Sequence, residues 1–149
     1  RELMLNWLRT WTQPPEPQRC LWIYGGRGQP ELRVYPPAWE ARGVDLRYTY
    51  FAHTQAPLKD LRPVFLEGLF RLVVIDSPQS FTAEDCAFVA RCARKLNLAV
   101  VLIRDGLLPL SVGNIWASLR VNLQSHSRGQ FSLQVVRGLS PRKKVIAVP

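Results

Sequence analysis

Read for the period of its apolar positions, the chain alternates between helical and extended segments. In residues 1–11, Leu3, Trp7 and Trp11 recur at every fourth position with Met4 and Leu8 beside them, the broad apolar stripe of an amphipathic helix. Pro14, Pro15 and Pro17 stop that helix and make residues 13–18 a short, stiff linker. Residues 20–24 (CLWIY) predict a strand, closed by the turn Gly25, Gly26, Arg27, Gly28, Gln29 and Pro30. Pro36 and Pro37 suit the first turn of a short helix through Ala41, which Gly43 ends. Residues 47–51 alternate and predict a second strand. A helix follows over residues 57–70, weakened by Pro63 and Gly68, with Leu58, Leu61, Phe65, Leu66 and Leu69 on one face. The short β-branched run of residues 72–75, ending at Asp76, has the pattern of a strand buried on both sides. Thr82 and Asp85 form a capping start for a helix reaching Leu96, with Cys86, Val89, Ala90 and Ala93 inward and Arg91, Arg94 and Lys95 outward. Residues 98–103 predict another fully buried strand.

The last third changes character. Residues 118–125, 130–136 and 142–148 each alternate, and the connections between them are short and turn-like, which predicts an antiparallel meander. Strand–helix–strand units followed by such strands give an α/β fold. The expected sheet is mostly parallel, with helices on both faces and an antiparallel C-terminal edge. No internal repeat or low-complexity segment interrupts it.

A length of 149 residues suits a single core, which at this size buries roughly 70% of the unfolded surface. With 47% hydrophobic residues the chain is too apolar for disorder, and no run approaches the ~18 apolar residues of a membrane span. Trp7, Arg9 and Trp11 interrupt any secretory pattern at the start of the chain. The chain opens on Arg1 rather than methionine, which leaves a preceding segment open. Its three cysteines are an odd count, and Cys86 and Cys92, six apart on one predicted helix, point in different directions and cannot bridge each other, so a reducing, cytosolic compartment is expected.

Charge adds a direction. Twenty Lys and Arg against eleven Asp and Glu give +9. From Arg104 onward, Arg120, Arg128, Arg137, Arg142, Lys143 and Lys144 follow, and Asp105 is the only acid, so six of the nine net charges lie there. A basic surface attracts phosphate backbones or an acidic partner, and equally serves solubility.

The residues that could carry catalysis do not assemble into a known pattern. In an open parallel sheet, ligands sit beyond the carboxyl ends of the strands. The turn at residues 25–30 lies at such an end, but a P-loop needs Gly-Lys-Ser/Thr entering a helix, the lysine for the terminal phosphates and the hydroxyl for magnesium. Gln29, Pro30 and Glu31 stand there instead. Asp76 is placed like a Walker B aspartate, though an Asp that merely turns the chain after a strand is common. His53 and His126 are isolated from metal spacing, no Cys-x-x-Cys occurs, and no Gly-x-Ser-x-Gly elbow is present. The expectation is a non-enzyme with no cofactor and no metal.

Six short stretches in order resemble the RecA ATPase core. Residues 20–26 (CLWIYGG) resemble a strand and opening glycine, residues 41–46 (ARGVDL) the approach to the next strand, and residues 72–77 (LVVIDS) the Walker B strand. Residues 100–103 (VVLI) are similar to the following core strand, residues 118–121 (SLRV) to the stretch after the second DNA loop, and residues 131–148 to the terminal hairpin. The resemblance runs from about Arg19 to the end. It implies residues 1–18 as an N-terminal amphipathic helix and linker, and residues 19–149 as a RecA-like, three-layer core domain whose P-loop helix is lost. Departures accompany it: Arg104 replaces the glutamine that senses the γ-phosphate, no glutamate stands where the family activates water, the DNA loops shrink to residues 78–81 and 105–113, and of two lysines near the RecA subunit interface Arg137 matches one while Leu139 does not match the second.

A RecA-like core without nucleotide machinery is similar to degenerate relatives in the bacterial DNA-damage (SOS) response. The proline-containing stretch from Tyr35 to Trp39, leading to Asp45, and the arginine-ended strand of residues 131–137 resemble the ImuA family of mutagenesis accessory proteins. The SulA family of division inhibitors is the alternative. The first resemblance implies assembly with a Y-family polymerase-like protein or RecA in translesion synthesis, with Leu3, Trp7 and Trp11 as docking residues. DNA or partner contacts then fall to Arg120, Arg128, Arg137, Arg142, Lys143 and Lys144. The second implies binding to the tubulin-like division protein. No membrane is implied, and self-association is left open.

Overall fold

The computed structural model describes residues 2–25, 34–78, 80–104, 114–127, 130–138 and 143–147. The turn at residues 26–30, the loop at residues 105–113, Arg128, Leu139 and Arg142 lie outside the described residues. The chain divides into two compact units, Arg1–Arg104 and Asp105–Pro149, so helix α1 belongs to the first.

In the first unit, α1 (Glu2–Thr12), β1 (Cys20–Tyr24), α2 (Pro36–Glu40), β2 (Thr49–His53), α3 (Pro57–Asp60), α4 (Arg62–Glu67), β3 (Leu72–Asp76), α5 (Ala83–Leu96) and β4 (Ala99–Ile103) follow in chain order. All four strands are parallel, in the order β2-β1-β3-β4. Alternate side chains of the central strands feed two cores. Leu21, Ile23, Val73 and Ile75 pack with Leu58, Phe65, Val89 and Cys92 from α3, α4 and α5. Cys20, Trp22, Leu72 and Val74 pack with Leu5 and Leu8 of α1, Trp39 of α2 and Val44. The expected helices on both faces are therefore present, and the unit has three layers.

Local chemistry moves several boundaries. The helix expected over residues 57–70 is two helices with a break at Leu61. Pro63 has no N–H to bond the Lys59 carbonyl, and its ring would clash there, so it sits instead in the first turn of α4. Gly68, at φ +65°, closes α4. Strand β2 begins two residues later than expected because the Asp45 side chain accepts the Arg47 N–H at 2.9 Å and nucleates a 3-10 turn, Leu46–Tyr48. The Arg47 guanidinium, hydrogen-bonded to the same carboxyl, holds Asp45 below the usual carboxylate range. Helix α5 carries the expected capping box, Thr82 and Asp85 exchanging hydrogen bonds. On it Cys86, Val89 and Cys92 are buried, Ala90 and Ala93 are half-buried, and Arg91, Arg94 and Lys95 are exposed. All three cysteines are free.

Two expectations are corrected. β3 is buried along its whole length, having a strand on each side and a helix layer on each face. β4 is only half-buried throughout, because it is an edge strand with a ladder to β3 alone. The C-terminal meander exists, but it is not the edge of the parallel sheet. β5 (Arg120–Ser127), β6 (Gln130–Arg137) and β7 (Lys143–Ala147) form a separate antiparallel sheet, in the order β5-β6-β7. Short turns specify which neighbours in sequence pair with each other, and alternation identifies strands, but neither ties them to a sheet sixteen residues upstream. No helix of the described residues is long and apolar enough to cross a membrane.

Candidate functional site

The geometry of the parallel sheet places one candidate. The crossover from β1 to β2 carries α2 on one face, while those from β2 to β3 and from β3 to β4 carry α3, α4 and α5 on the other. The chain therefore diverges beyond the carboxyl ends of β1 and β3, where a crevice opens in such folds. The register lines up His53, Tyr24, Asp76 and Ile103 across this edge. Tyr24 and His53 stack with ring centroids 5.1 Å apart. Asp76 is 1% exposed, and the Ser77 hydroxyl donates to its Oδ1 at 3.0 Å. Ser77 itself takes a left-handed conformation, φ +51°, rare for a non-glycine residue, and its N–H donates to the Ile103 carbonyl at 2.9 Å. Beside them the Arg104 guanidinium donates to the Phe81 carbonyl at 3.2 Å, tying the end of β4 to the approach to α5.

Gly25 opens the glycine turn, and packing accounts for it. A Cβ there would lie 1.8 Å from the Thr54 carbonyl oxygen, so the backbone after β1 runs against the backbone after β2. Thr54 is fixed in turn: its N–H donates to the Tyr24 carbonyl, and its hydroxyl pairs with the Asp60 carboxylate. Among the described residues, no three His, Cys, Asp or Glu side chains come together so as to hold a metal ion. Elsewhere a shallow hollow is lined by Arg9, Gln13, Pro14, Arg42 and Gly43, and the Gln13 amide donates across it to the Gly43 carbonyl at 3.0 Å.

The second candidate is α1. Leu5, Leu8 and Thr12 face the sheet, with Met4 and Trp11 partly buried beside them. The inward face is thus turned from the expected Leu3–Trp7–Trp11 stripe, and Trp7 stands 50% exposed. The sheet below carries Trp22 and Trp39, packed edge to face at 4.8 Å, and Leu5 and Leu8 complete that cluster with Trp11 at its margin. Thr12 was not visible as a candidate, yet its buried hydroxyl donates to the Leu8 carbonyl at 2.8 Å and accepts the Asp45 N–H at 3.1 Å. Leu3 lies within the same helix, one turn before Trp7.

The third candidate is the basic second unit. Arg120 of β5 is the Cα partner of Arg137 of β6, so two of the expected contacts are brought together. Lys143 pairs with Gln134 and Lys144 with Leu133. Consecutive strand positions belong to opposite faces, so these two lysine positions do not share one. Arg137 is exposed and Arg120 half-buried. Gln134 and Asn122, partners across β5 and β6, were not singled out by charge reasoning; the alternation of each strand is the signal that would have found them.

Compared with known proteins, the chain matches no protein-family model and no curated protein.

Proposed function

We propose that the chain is a non-catalytic accessory protein with a RecA-like core, acting in the bacterial DNA-damage (SOS) response by assembling with translesion-synthesis partners. The observation that carries this reading is the occupation of the two positions that RecA-type ATPases use for nucleotide chemistry. Asp76, which by the resemblance takes the Walker B place, is enclosed and bonded by Ser77. Arg104, which by the resemblance replaces the γ-phosphate-sensing glutamine, donates to the Phe81 carbonyl. Each of these side chains has a hydrogen-bond partner within the chain where, by the RecA resemblance, an ATPase would direct it to magnesium or phosphate. The glycine turn adds no lysine or hydroxyl for a triphosphate, and its first glycine answers to the Thr54 backbone.

With chemistry set aside, surfaces remain. Helix α1 is held by Leu5 and Leu8 and presents Trp7 outward; an exposed indole of this kind is the residue type most enriched at energetic centres of interfaces. A Y-family polymerase-like protein or RecA is the partner this reading favours.

The test separates it from division control. Loss of the chain should lower damage-induced mutation frequency, and adding purified chain to the polymerising tubulin-like division protein should leave the sedimented polymer unchanged. Stoichiometric depletion of that polymer, with mutation frequency unaffected, would replace this reading with a SulA-like inhibitor.

A further inference from the structure

The β5-β6-β7 sheet sorts its positions into two unlike faces, since residues directly opposite one another share a face. One face takes Val121 with Val135, Leu123 with Leu133, and Phe131 with Ile146. The other takes a row of Asn122, Gln134 and Lys143, and beside it a row of Gln124, Ser132 and Val145.

Arg137 reaches the polar face through an irregularity. Val121 pairs with Val135, but Arg120 pairs with Arg137, so Val136 is an extra residue, a β-bulge. In a regular strand, position 137 would fall on the same face as Leu133 and Val135. The bulge shifts it onto the face of Arg120, next to the row of Asn122, Gln134 and Lys143. Arg137, Gln134 and Gln124 are exposed, Arg120 and Asn122 are half-buried, and Ser132 in the adjoining row is buried. In Asp105–Pro149 six Lys and Arg face a single acid, Asp105, and none of the three strands carries an acid.

From this placement we infer that the polar face of the second unit binds the phosphate backbone of single-stranded nucleic acid. Guanidinium and ammonium groups neutralise phosphates, and the amides of Asn122 and Gln134 can both give and accept hydrogen bonds with the edges of unpaired bases. Neighbouring strands lie about 4.8 Å apart, so three strands span about 10 Å, room for one backbone. An acidic protein would need apolar anchors at the centre of its interface, and in this sheet those lie on the opposite face. Contacts to phosphates carry no sequence information, so binding is largely independent of sequence. The inference deepens the proposed function and rests on it for its cellular setting.

The experiment measures fluorescence anisotropy of a labelled oligo(dT) with the full chain at increasing salt, with a duplex of the same length in parallel. Three neutralised phosphates give a slope of log affinity against log salt of about −2, an affinity loss of nearly twentyfold between about 50 and 200 mM salt. R137Q, which removes one contact, should weaken binding about fivefold at about 0.1 M salt and make the slope shallower by about 0.7. K143E should weaken it at least as much. K144E changes net charge as much as K143E does, but on the other face, and should leave affinity within twofold.

Equal losses in K143E and K144E would overturn the inference, as a response to net charge alone. So would tighter binding to the duplex, absence of binding, or displacement by polyglutamate at matched charge. Circular dichroism of each variant establishes that it is folded, and R137Q alone, at an exposed position, suffices for the slope. Because the measurement uses only the chain and an oligonucleotide, it can fail while assembly with protein partners stands, and the reverse.

Discussion

Arg120 and Arg137 stand directly opposite one another on neighbouring antiparallel strands, brought into register by a single extra residue, Val136. Like charges in that arrangement oppose folding by a few tenths of a kcal/mol to about 1 kcal/mol. Their juxtaposition is the kind of local cost that accompanies a site for a polyanion. R137E converts the pair to opposite charges. It should leave the second unit as stable or gain up to about 1 kcal/mol in urea unfolding, while it weakens oligonucleotide binding. A loss of stability would mean that Arg137 serves the fold.

Helix α1 separates packing from surface within one turn. L8A removes a fully buried side chain and should cost about 2–5 kcal/mol in chemical denaturation. W7A, at a half-exposed position, should stay within about 0.5 kcal/mol of the parent. If W7A destabilises as L8A does, Trp7 is a packing residue and the docking role of α1 falls.

Gly25 is required by a neighbour. In G25A the new methyl meets the Thr54 carbonyl, and separating the two backbones should cost about 1–3 kcal/mol or more. Unchanged stability in thermal unfolding would show that the two chain segments part easily, and would return the glycine turn to consideration as a ligand-binding loop.

Cys20 sets an alkaline limit. Burial pushes its thiol from 9.0 up to about 12. The folded chain keeps this proton where the unfolded chain releases it, so the contribution to stability is intact below about pH 9 and declines as pH rises toward 12. Melting temperatures between pH 8 and pH 11 should fall less in C20A than in the parent, from a lower starting point. Identical slopes would contradict the burial effect.

Much of the first unit was legible because its elements carry strong local patterns. The β-branched run before Asp76 is a wholly buried strand, and Thr82 with Asp85 is a working capping box. What the pattern could not carry was position within the sheet. Residues 98–103 are as apolar as residues 72–75, yet only the latter gained neighbours on both sides. In α1 both tryptophans fit the apolar period, and the buried face is instead Leu5 and Leu8, which pack with Trp22 and Trp39 of other elements.

The candidate sites were legible to different degrees. The basic residues of the last third are visible as composition. The face that Arg137 occupies depends on the bulge at Val136, which no residue type announces. Asp76 was singled out by its place after a strand, but its partner Ser77 has a left-handed backbone and donates its N–H to Ile103, a residue on another strand.

Sedimentation velocity of the purified chain, mixed in turn with RecA and with a Y-family polymerase, tests the assembly role most directly. The account predicts a discrete faster-moving complex with at least one of them, formed without nucleotide and lost in W7A while the variant stays folded. Free sedimentation of every component, or a complex that forms only with Mg-ATP, would contradict it.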